Sequence, residues 1–197
     1  MAFDLDVKTS LKGVHGPTKV AQNTLVSLAA GSGATAVQIA RIGGLTVPVC
    51  KSLSGRWPNF DTKTTGGSPT IKCQLKSNSF EVGLEITVYI LSTLNACQAK
   101  LMADHEQKHV DDYKKIFAGM KAAMKADSLY SGLKTSLDPY VVWYDVKQSD
   151  AQKVLTSASA SIKKMMDNAF ASLTAASVAQ IDTASEYKRL QAELAKC

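Results

Sequence analysis

The pentad His-Glu-Gln-Lys-His at residues 105–109 constrains the fold of this chain more than any other part of its sequence. On an α-helix, two histidines four residues apart lie one turn apart on the same face, where both imidazoles can bind one zinc ion. The glutamate between them can accept a proton from a water molecule that the metal activates. We therefore predict a helix through this segment, with His105 and His109 as metal ligands and Glu106 as the catalytic base.

Hydrophobic periodicity predicts a strand before the pentad and a long helix around it. Apolar residues alternate from Phe80 to Ile90 with the period of a β-strand. From Thr93 to about Lys125 they recur at helical spacing, and both histidines of the pentad share their face. We expect the two imidazoles to point inward, where they would need other hydrogen-bonding partners if no metal were bound.

The segment before this strand has the composition of β structure. Val20 to Ala30 and Ala34 to Val47 are rich in Val, Leu, Ile and Thr, and turn residues separate them at 31–33. This pattern predicts an antiparallel β region in the first 91 residues.

The last quarter of the chain has the pattern of helices. Residues 149–197 contain no glycine and no proline, and an apolar stripe predicts one long helix or two helices with a break near Ser172. We therefore expect an α+β fold and a single metallopeptidase-like domain over residues 1–197, mostly β in 1–91 and mostly α in 92–197. The C-terminal helix or helix pair is expected to pack against the pentad helix.

A catalytic zinc site needs a third protein ligand, and the sequence offers several candidates. We predict Glu186, because it lies on the C-terminal helix with Asp182 one turn earlier on the same face, as in gluzincins. Asp182 would then accept the second N–H of a ligating imidazole and orient it, and Asp112, one turn beyond His109, is the alternative for that role. Other candidates for the third ligand are Asp127, Asp145 and His15.

These segments resemble a group of small predicted bacterial zinc-dependent proteases, in which a strand leads into a helix that carries H-E-Q-x-H. The matching residues are the strand around Val82–Ile90 and the pentad. The group has a later Asp-x-x-Ser/Thr segment before its third ligand, to which Asp182–Ser185 is similar. It tends to have a histidine shortly after the hydroxyl residue, where this chain has Glu186-Tyr187. The resemblance implies a secreted or periplasmic peptidase.

The function that we expect is hydrolysis of peptide bonds with one zinc ion per chain and Glu106 as general base. Tyr187 or Tyr144 would donate a hydrogen bond to the oxyanion. The expected partners are a peptide or protein substrate, with cell-wall peptide as one option, and an inhibitor or immunity protein. Two other classes stay open: an exported, disulfide-pinned binding or toxin module with a non-catalytic metal site, and a peptidoglycan-directed zinc amidase or endopeptidase.

The four cysteines lack the C-x-x-C spacing of a thiolate zinc site and can form two disulfides. Cys50 and Cys73 bracket a loop that has little core of its own, so a bridge there would close it. Cys97 and Cys197 come to one end of the two helices if those helices meet at the zinc and run antiparallel. We predict the pairs Cys50–Cys73 and Cys97–Cys197.

We predict no nucleic-acid partner, although a basic N-terminal half could favour an anionic partner such as cell wall or nucleic acid. Residues 1–80 carry nine Lys and Arg against three Asp and Glu, whereas residues 81–197 carry fourteen of each. The basic residues are scattered and are not interleaved with aromatic residues, which favours an ordinary solvated surface. We predict no membrane span, because the sequence has no run of 18 or more apolar residues. No signal peptide is visible, so we expect a mature exported form or a signal-free route.

Overall fold

The computed structural model describes residues 2–31, 43–55, 57–64, 66 and 69–197. In chain order, the described strands and helices are β1 Asp6–Val20, α1 Gln22–Gly31, β2 Gly44–Ser52, β3 Phe60–Thr64, β4 Ile71–Leu75, β5 Ser79–Leu91, α2 Ala96–Phe117, α3 Met120–Ala126, α4 Leu129–Leu137, β6 Tyr144–Val146, α5 Gln148–Ile181 and α6 Ala184–Leu194. A 3₁₀ turn at Asp138–Val141 lies between α4 and β6. The predicted α+β fold, with a sheet region before the pentad helix and a long helix after it, is confirmed.

The first sheet has β5 in the middle, between β1 and β2. The N–H of Leu91 donates to the carbonyl of Gly43, and the N–H of Leu53 donates to the carbonyl of Glu81. Because the residue numbers rise along one strand and fall along the other, β2 runs antiparallel to β5. Within the described ranges, β2 is therefore an edge strand of this sheet.

The other edge strand, β1, runs parallel to β5. The N–H of Asp6 donates to the carbonyl of Asn78, and the N–H of Ser92 donates to the carbonyl of Val20, so residue numbers rise together. The N-terminal sheet is thus mixed, with one antiparallel and one parallel pair.

Helix α1 occupies most of the segment Val20–Ala30, which the sequence pattern predicted as a strand. Leu25 and Ala29 lie four residues apart and are fully buried, so the segment buries one helical face. Tertiary packing here overrides the β propensity of its side chains. Of the second predicted strand, residues 44–47 begin β2, and residues 34–42 lie outside the described residues.

The helices that follow β5 end at positions that differ from those that the periodicity predicted. The predicted helix from Thr93 to Lys125 is two helices, because α2 ends at Phe117 and α3 begins at Met120. The last two helices separate at Asp182 and Thr183 and not at Ser172. The Thr183 side chain caps α6 by accepting a hydrogen bond from the N–H of Glu186, which is the T-x-x-E spacing of a capping box.

The chain, predicted as one domain, divides into two compact units, each assembled from three stretches of sequence. The first unit comprises residues 1–10, 50–83 and 118–172, and the second comprises residues 11–49, 84–117 and 173–197. Four of the five boundaries fall within β1, β2, β5 and α5, and the fifth follows the end of α2.

The first unit contains the antiparallel sheet β3–β4–β6, in which β4 is the central strand. Cys73 on β4 lies opposite Thr62 on one side and Tyr144 on the other, and it is fully buried. Phe60 stacks on Tyr140 with ring centroids 4.6 Å apart. Fully buried apolar side chains from three separate stretches make the core of this unit: Leu5, Val82, Met120, Met124, Leu137 and Met165.

The predicted disulfide between Cys50 and Cys73 is wrong, since both are free thiols. Cys50 lies in β2 of the first sheet, whereas Cys73 lies in the central strand of the second sheet. Burial raises the pKa of both thiols, that of Cys50 to about 12, so neither thiol is an activated nucleophile.

The second unit contains the pentad helix α2 and the last helix α6. Ile90, Ala99 and Met102 form a buried apolar cluster, against which Leu94 and Leu194 pack. The predicted disulfide between Cys97, in the first turn of α2, and Cys197, beyond the end of α6, is confirmed. No helix within the described ranges is long and apolar enough to cross a membrane.

Candidate metal centre

The two histidines of the pentad lie side by side on the buried face of α2. His105 is 4% exposed and His109 is 5% exposed. Their ring centroids are 5.1 Å apart, as expected for residues separated by one helical turn. The inward orientation that the apolar stripe predicted is therefore present, and both imidazoles need polar partners in the interior.

Asp182, in the break between α5 and α6, provides a partner for both imidazoles. Its Oδ1 lies 3.1 Å from Nε2 of His109 and 3.3 Å from Nε2 of His105. At zinc–ligand bond lengths of about 2.0–2.2 Å, two ligand atoms of a tetrahedral site are about 3.3–3.6 Å apart. His105, His109 and Asp182 offer ligand atoms that all lie within 4.8 Å of one another, and this group can hold a metal ion.

Glu186 lies on the outer side of His105, next to the ring nitrogen that does not face Asp182. Its Oε1 is 3.4 Å from Nδ1 of His105. The same carboxylate accepts a hydrogen bond from Lys108 at 2.6 Å and two from Arg189 at 2.8 and 2.7 Å. These cations hold the pKa of Glu186 well below its ordinary value.

The two carboxylates have therefore exchanged the positions that the sequence spacing suggested. Asp182 contacts Nε2 of both histidines, and Glu186 contacts the far nitrogen of one. The helix break explains the exchange, because Asp182 is not on a continuous helical face with Glu186 but in the turn before α6. Helical spacing alone does not describe a residue in such a turn.

Charge interactions within this group lower the pKa of Asp182 and raise the pKa of His105. Burial by itself raises the pKa of Asp182, but hydrogen bonds from His105 and His109 outweigh burial and lower it to about 2. Burial by itself lowers the pKa of His105, but Asp182, Glu106 and Glu186 outweigh burial and raise it. Asp182 is thus an ionised carboxylate, the form that binds a metal.

Among the described residues, one buried polar atom of His109 and one of Asp112 have no hydrogen-bonding partner. These atoms are Nδ1 of His109 and Oδ2 of Asp112. The two residues are three positions apart on α2, and side chains at that spacing are neighbours on the helix surface. With Nε2 of His109 directed at Asp182, its Nδ1 is the atom that needs an outer acceptor.

Glu106 is buried between α2 and strand β2 and is 3% exposed. Its Oε2 accepts a hydrogen bond of 2.7 Å from the hydroxyl of Thr46, which is itself buried. Burial raises the pKa of Glu106 above its ordinary value, although His109, Thr46 and His105 act in the other direction. A carboxyl group with a raised pKa is better suited to accept a proton near neutral pH than an ordinary glutamate.

Tyr187 is half-buried on α6, and the negative charges nearby affect its hydroxyl. Burial, followed by the charges of Asp182 and Glu106, raises the pKa of Tyr187 to about 12, so it remains a proton donor. Tyr144, the alternative donor, lies on β6 of the first unit and is 45% exposed. The three remaining alternatives for the third ligand have other partners: Asp127 accepts from Asn168, Asp145 pairs with Lys72, and His15 pairs with Glu85.

Three features of this site were missed by sequence reasoning. Tyr113 is 4% exposed, and its ring centroid lies 6.2 Å from that of His109. Its position four residues after His109, on the same helical face, was a signal for it. The pairing of Arg189 with Glu186, three residues apart, was also visible as a helical ion pair. Thr46 had no such signal, because it comes from a distant strand.

Removing the Cys97–Cys197 disulfide is expected to destabilise the second unit and to loosen the metal group. The bridge joins residues 100 positions apart, and loss of a natural disulfide costs about 2–5 kcal/mol of unfolding free energy in small secreted domains. It ties α6 to α2, so its loss also frees Asp182 relative to His105. Chemical denaturation and the rate of zinc loss to a chelator, measured for Cys97→Ser/Cys197→Ser, test both effects.

Cys50→Ser is the control for this experiment, because Cys50 is a free thiol. If the double variant and the control showed the same denaturation midpoint and the same rate of zinc loss, the disulfide would have neither effect.

No protein-family model, no curated protein and no solved structure matches this chain. The resemblance of the pentad region to bacterial zinc-dependent proteases stays a prediction. At this place the structure shows two buried histidines and a half-buried aspartate that together can hold a metal ion.

Proposed function

We propose that the protein is a zinc-dependent hydrolase of peptide bonds. The observation that carries the proposal is the convergence of Nε2 of His105, Nε2 of His109 and Oδ1 of Asp182, with Glu106 buried one residue away. Three protein ligands that leave a coordination position open are typical of catalytic zinc, whereas structural zinc usually has four.

The ligand set supports zinc over the alternatives. Imidazole and carboxylate ligands at this spacing suit zinc, although the same two-histidine, one-carboxylate set also binds iron(II) in oxygenases. The glutamate within the pentad favours hydrolysis, since that chemistry needs a base beside the metal. A zinc ion held here would lower the pKa of a bound water and polarise the substrate carbonyl.

The other residues of the site each have a role in the proposed hydrolysis. Glu106 accepts the proton of the attacking water and passes it to the leaving amine. Tyr187 donates a hydrogen bond to the oxyanion. Glu186 accepts the N–H of Nδ1 of His105 and so holds this imidazole in one tautomer.

The position of β2 supports a peptide as the substrate. Gly43 bonds to β5, so by alternation the N–H and C=O groups of Gly44 and Thr46 point away from β5, to the side on which no described strand pairs with β2, and both residues are buried there. Pro48, which has no N–H, belongs to the same outward set, as expected for an edge strand. An extended peptide can pair with such an edge where it is less buried, around Pro48. The Cys97–Cys197 disulfide is typical of proteins outside the cytoplasm, and we infer a secreted or periplasmic location.

Metal content and hydrolysis together test the proposal. We expect about one zinc per chain by elemental analysis, and cleavage of unfolded, fluorescein-labelled casein. His15→Ala is the matched control, because His15 is an exposed histidine paired with Glu85, and it should retain the metal. A protein that holds no zinc after reconstitution, or that holds iron instead, would contradict the proposal.

The same assays distinguish two other functions from the proposed hydrolysis of protein substrates. A binding or toxin module with a non-catalytic metal would hold zinc and cleave neither casein nor cell wall. A peptidoglycan amidase or endopeptidase would release fragments from purified cell wall and leave casein intact. A partner that is an inhibitor or immunity protein would be identified because it suppresses the cleavage of casein or of cell wall.

A further inference from the structure

We propose that strand β2 positions the catalytic base: the hydroxyl of Thr46 and the bare Cα of Gly44 form a cradle that holds the carboxylate of Glu106 in one orientation. This inference rests on the proposed hydrolytic function for its catalytic consequence. The cradle itself is a contact between β2 and α2 within the second unit, and it can be tested without any substrate.

The first half of the cradle is a buried hydrogen bond. The Thr46 hydroxyl donates to Oε2 of Glu106 at 2.7 Å, and its distance to the backbone carbonyl of Glu106 is longer, at 3.3 Å. A hydroxyl has one proton, so the shorter contact receives it. Thr46 is 7% exposed and Glu106 is 3% exposed, so little water competes for this bond. A hydrogen bond to a charged acceptor in such surroundings is stronger than an ordinary one.

The second half of the cradle is the absence of a side chain at residue 44. Gly44 and Thr46 are two residues apart in β2, so they face the same side of the strand. A Cβ at residue 44 would lie 2.5 Å from Oε1 of Glu106, 2.9 Å from its Cγ and 3.0 Å from its Cδ. At the neighbouring Gly43, a Cβ would meet the Met102 side chain at an ordinary 3.4 Å. Among the described glycines, Gly44 is therefore the one at which a Cβ would collide with Glu106.

Together the two contacts determine which oxygen is available for chemistry. Thr46 engages Oε2, and Gly44 leaves just enough room for Oε1. Oε1 is therefore the oxygen that accepts the proton, and it does so without first rotating the carboxylate. Because a base must be held within hydrogen-bonding reach of the proton that it removes, loss of the cradle lowers turnover even when the metal ligands are intact.

Kinetic comparison of matched variants tests the catalytic consequence. Thr46→Val keeps the shape of the side chain and removes the hydroxyl, whereas Thr46→Ser keeps the hydroxyl. With labelled casein as the substrate, we expect kcat of Thr46→Val to fall about 10- to 100-fold, the range for partners that orient a site residue. KM and zinc content should stay unchanged, and Thr46→Ser should restore most of the turnover. Gly44→Ala should behave like Thr46→Val, and Gly43→Ala should behave like the wild type.

A double-mutant cycle on the metal-free protein tests the cradle independently of activity. Glu106→Met keeps the length of the side chain and removes the acceptor. We expect Thr46→Val to raise the equilibrium constant for unfolding by at least about tenfold in the wild type, and to have little effect beside Glu106→Met. Coupling without any hydrolysis of casein or cell wall by the wild type would support the cradle and contradict the proposed function. Absence of coupling, or full turnover by Thr46→Val, would overturn the cradle whatever the wild type does.

Discussion

Replacing Glu106 with glutamine is expected to abolish hydrolysis while zinc stays bound, whereas replacing His109 with alanine should remove both. Glutamine cannot accept the proton, and general bases contribute about 10²- to 10⁴-fold to turnover. Its amide oxygen can still accept the hydrogen bond of Thr46, so the packing against β2 is retained. His109→Ala instead removes a ligand atom that lies 3.1 Å from Asp182. Zinc content and single-turnover cleavage of labelled casein, measured on the same preparations, separate the two roles.

The variant Gln107→Ala is the matched control, because Gln107 lies within the pentad but is exposed, and its side chain donates to Asp111. It should retain both zinc and turnover. Near-normal turnover by Glu106→Gln would mean that another group is the base, and the proposed mechanism would then be wrong.

The second prediction concerns zinc binding, which we expect to depend more strongly on Asp182 than on Glu186. Asp182→Ala is expected to lose zinc, since it removes the oxygen that contacts Nε2 of both histidines. Glu186→Ala is expected to keep stoichiometric zinc with an affinity about 10- to 100-fold weaker, because outer partners of metal ligands have effects of that size. Competition with a chromogenic chelator measures both affinities.

Glu193→Ala controls for the loss of a carboxylate on α6, because Glu193 pairs with Arg189 and is not part of the group that can hold a metal ion. Its zinc affinity should equal that of the wild type. If Glu186→Ala lost zinc and Asp182→Ala retained it, the third ligand would be Glu186, as the sequence spacing predicted.

The parts of the site that the sequence predicted are those on a single helix. The pentad determines that His105 and His109 share a face, and apolar residues at helical spacing around it, such as Met102 and Val110, bury this face. The Cys97–Cys197 bridge was predictable for a related reason, because the rise of a helix converts sequence offsets into distances along two antiparallel helices. Local geometry of this kind depends on few long-range contacts.

The parts that the sequence did not predict depend on where a helix ends or on which strands pair. Helical spacing placed Asp182 and Glu186 on one face, but the capping of α6 by Thr183 ended the preceding helix and turned Asp182 toward both imidazoles. The wrong disulfide had a similar cause, because closeness along the chain did not show that Cys50 and Cys73 lie in different sheets. Periodicity describes the interior of an element, and it is least informative at the ends.

By itself, the sequence determined the helix that carries the pentad, the inward direction of its histidines and the presence of a carboxylate-rich segment near the C-terminus. Those properties follow from side-chain spacing along one element. Only the tertiary structure decided that Asp182 and not Glu186 contacts both imidazoles, and that Thr46 and Gly44 enclose Glu106. These contacts join residues about 60 to 80 positions apart, so they exist only after sheet pairing and helix packing bring distant segments within hydrogen-bonding distance.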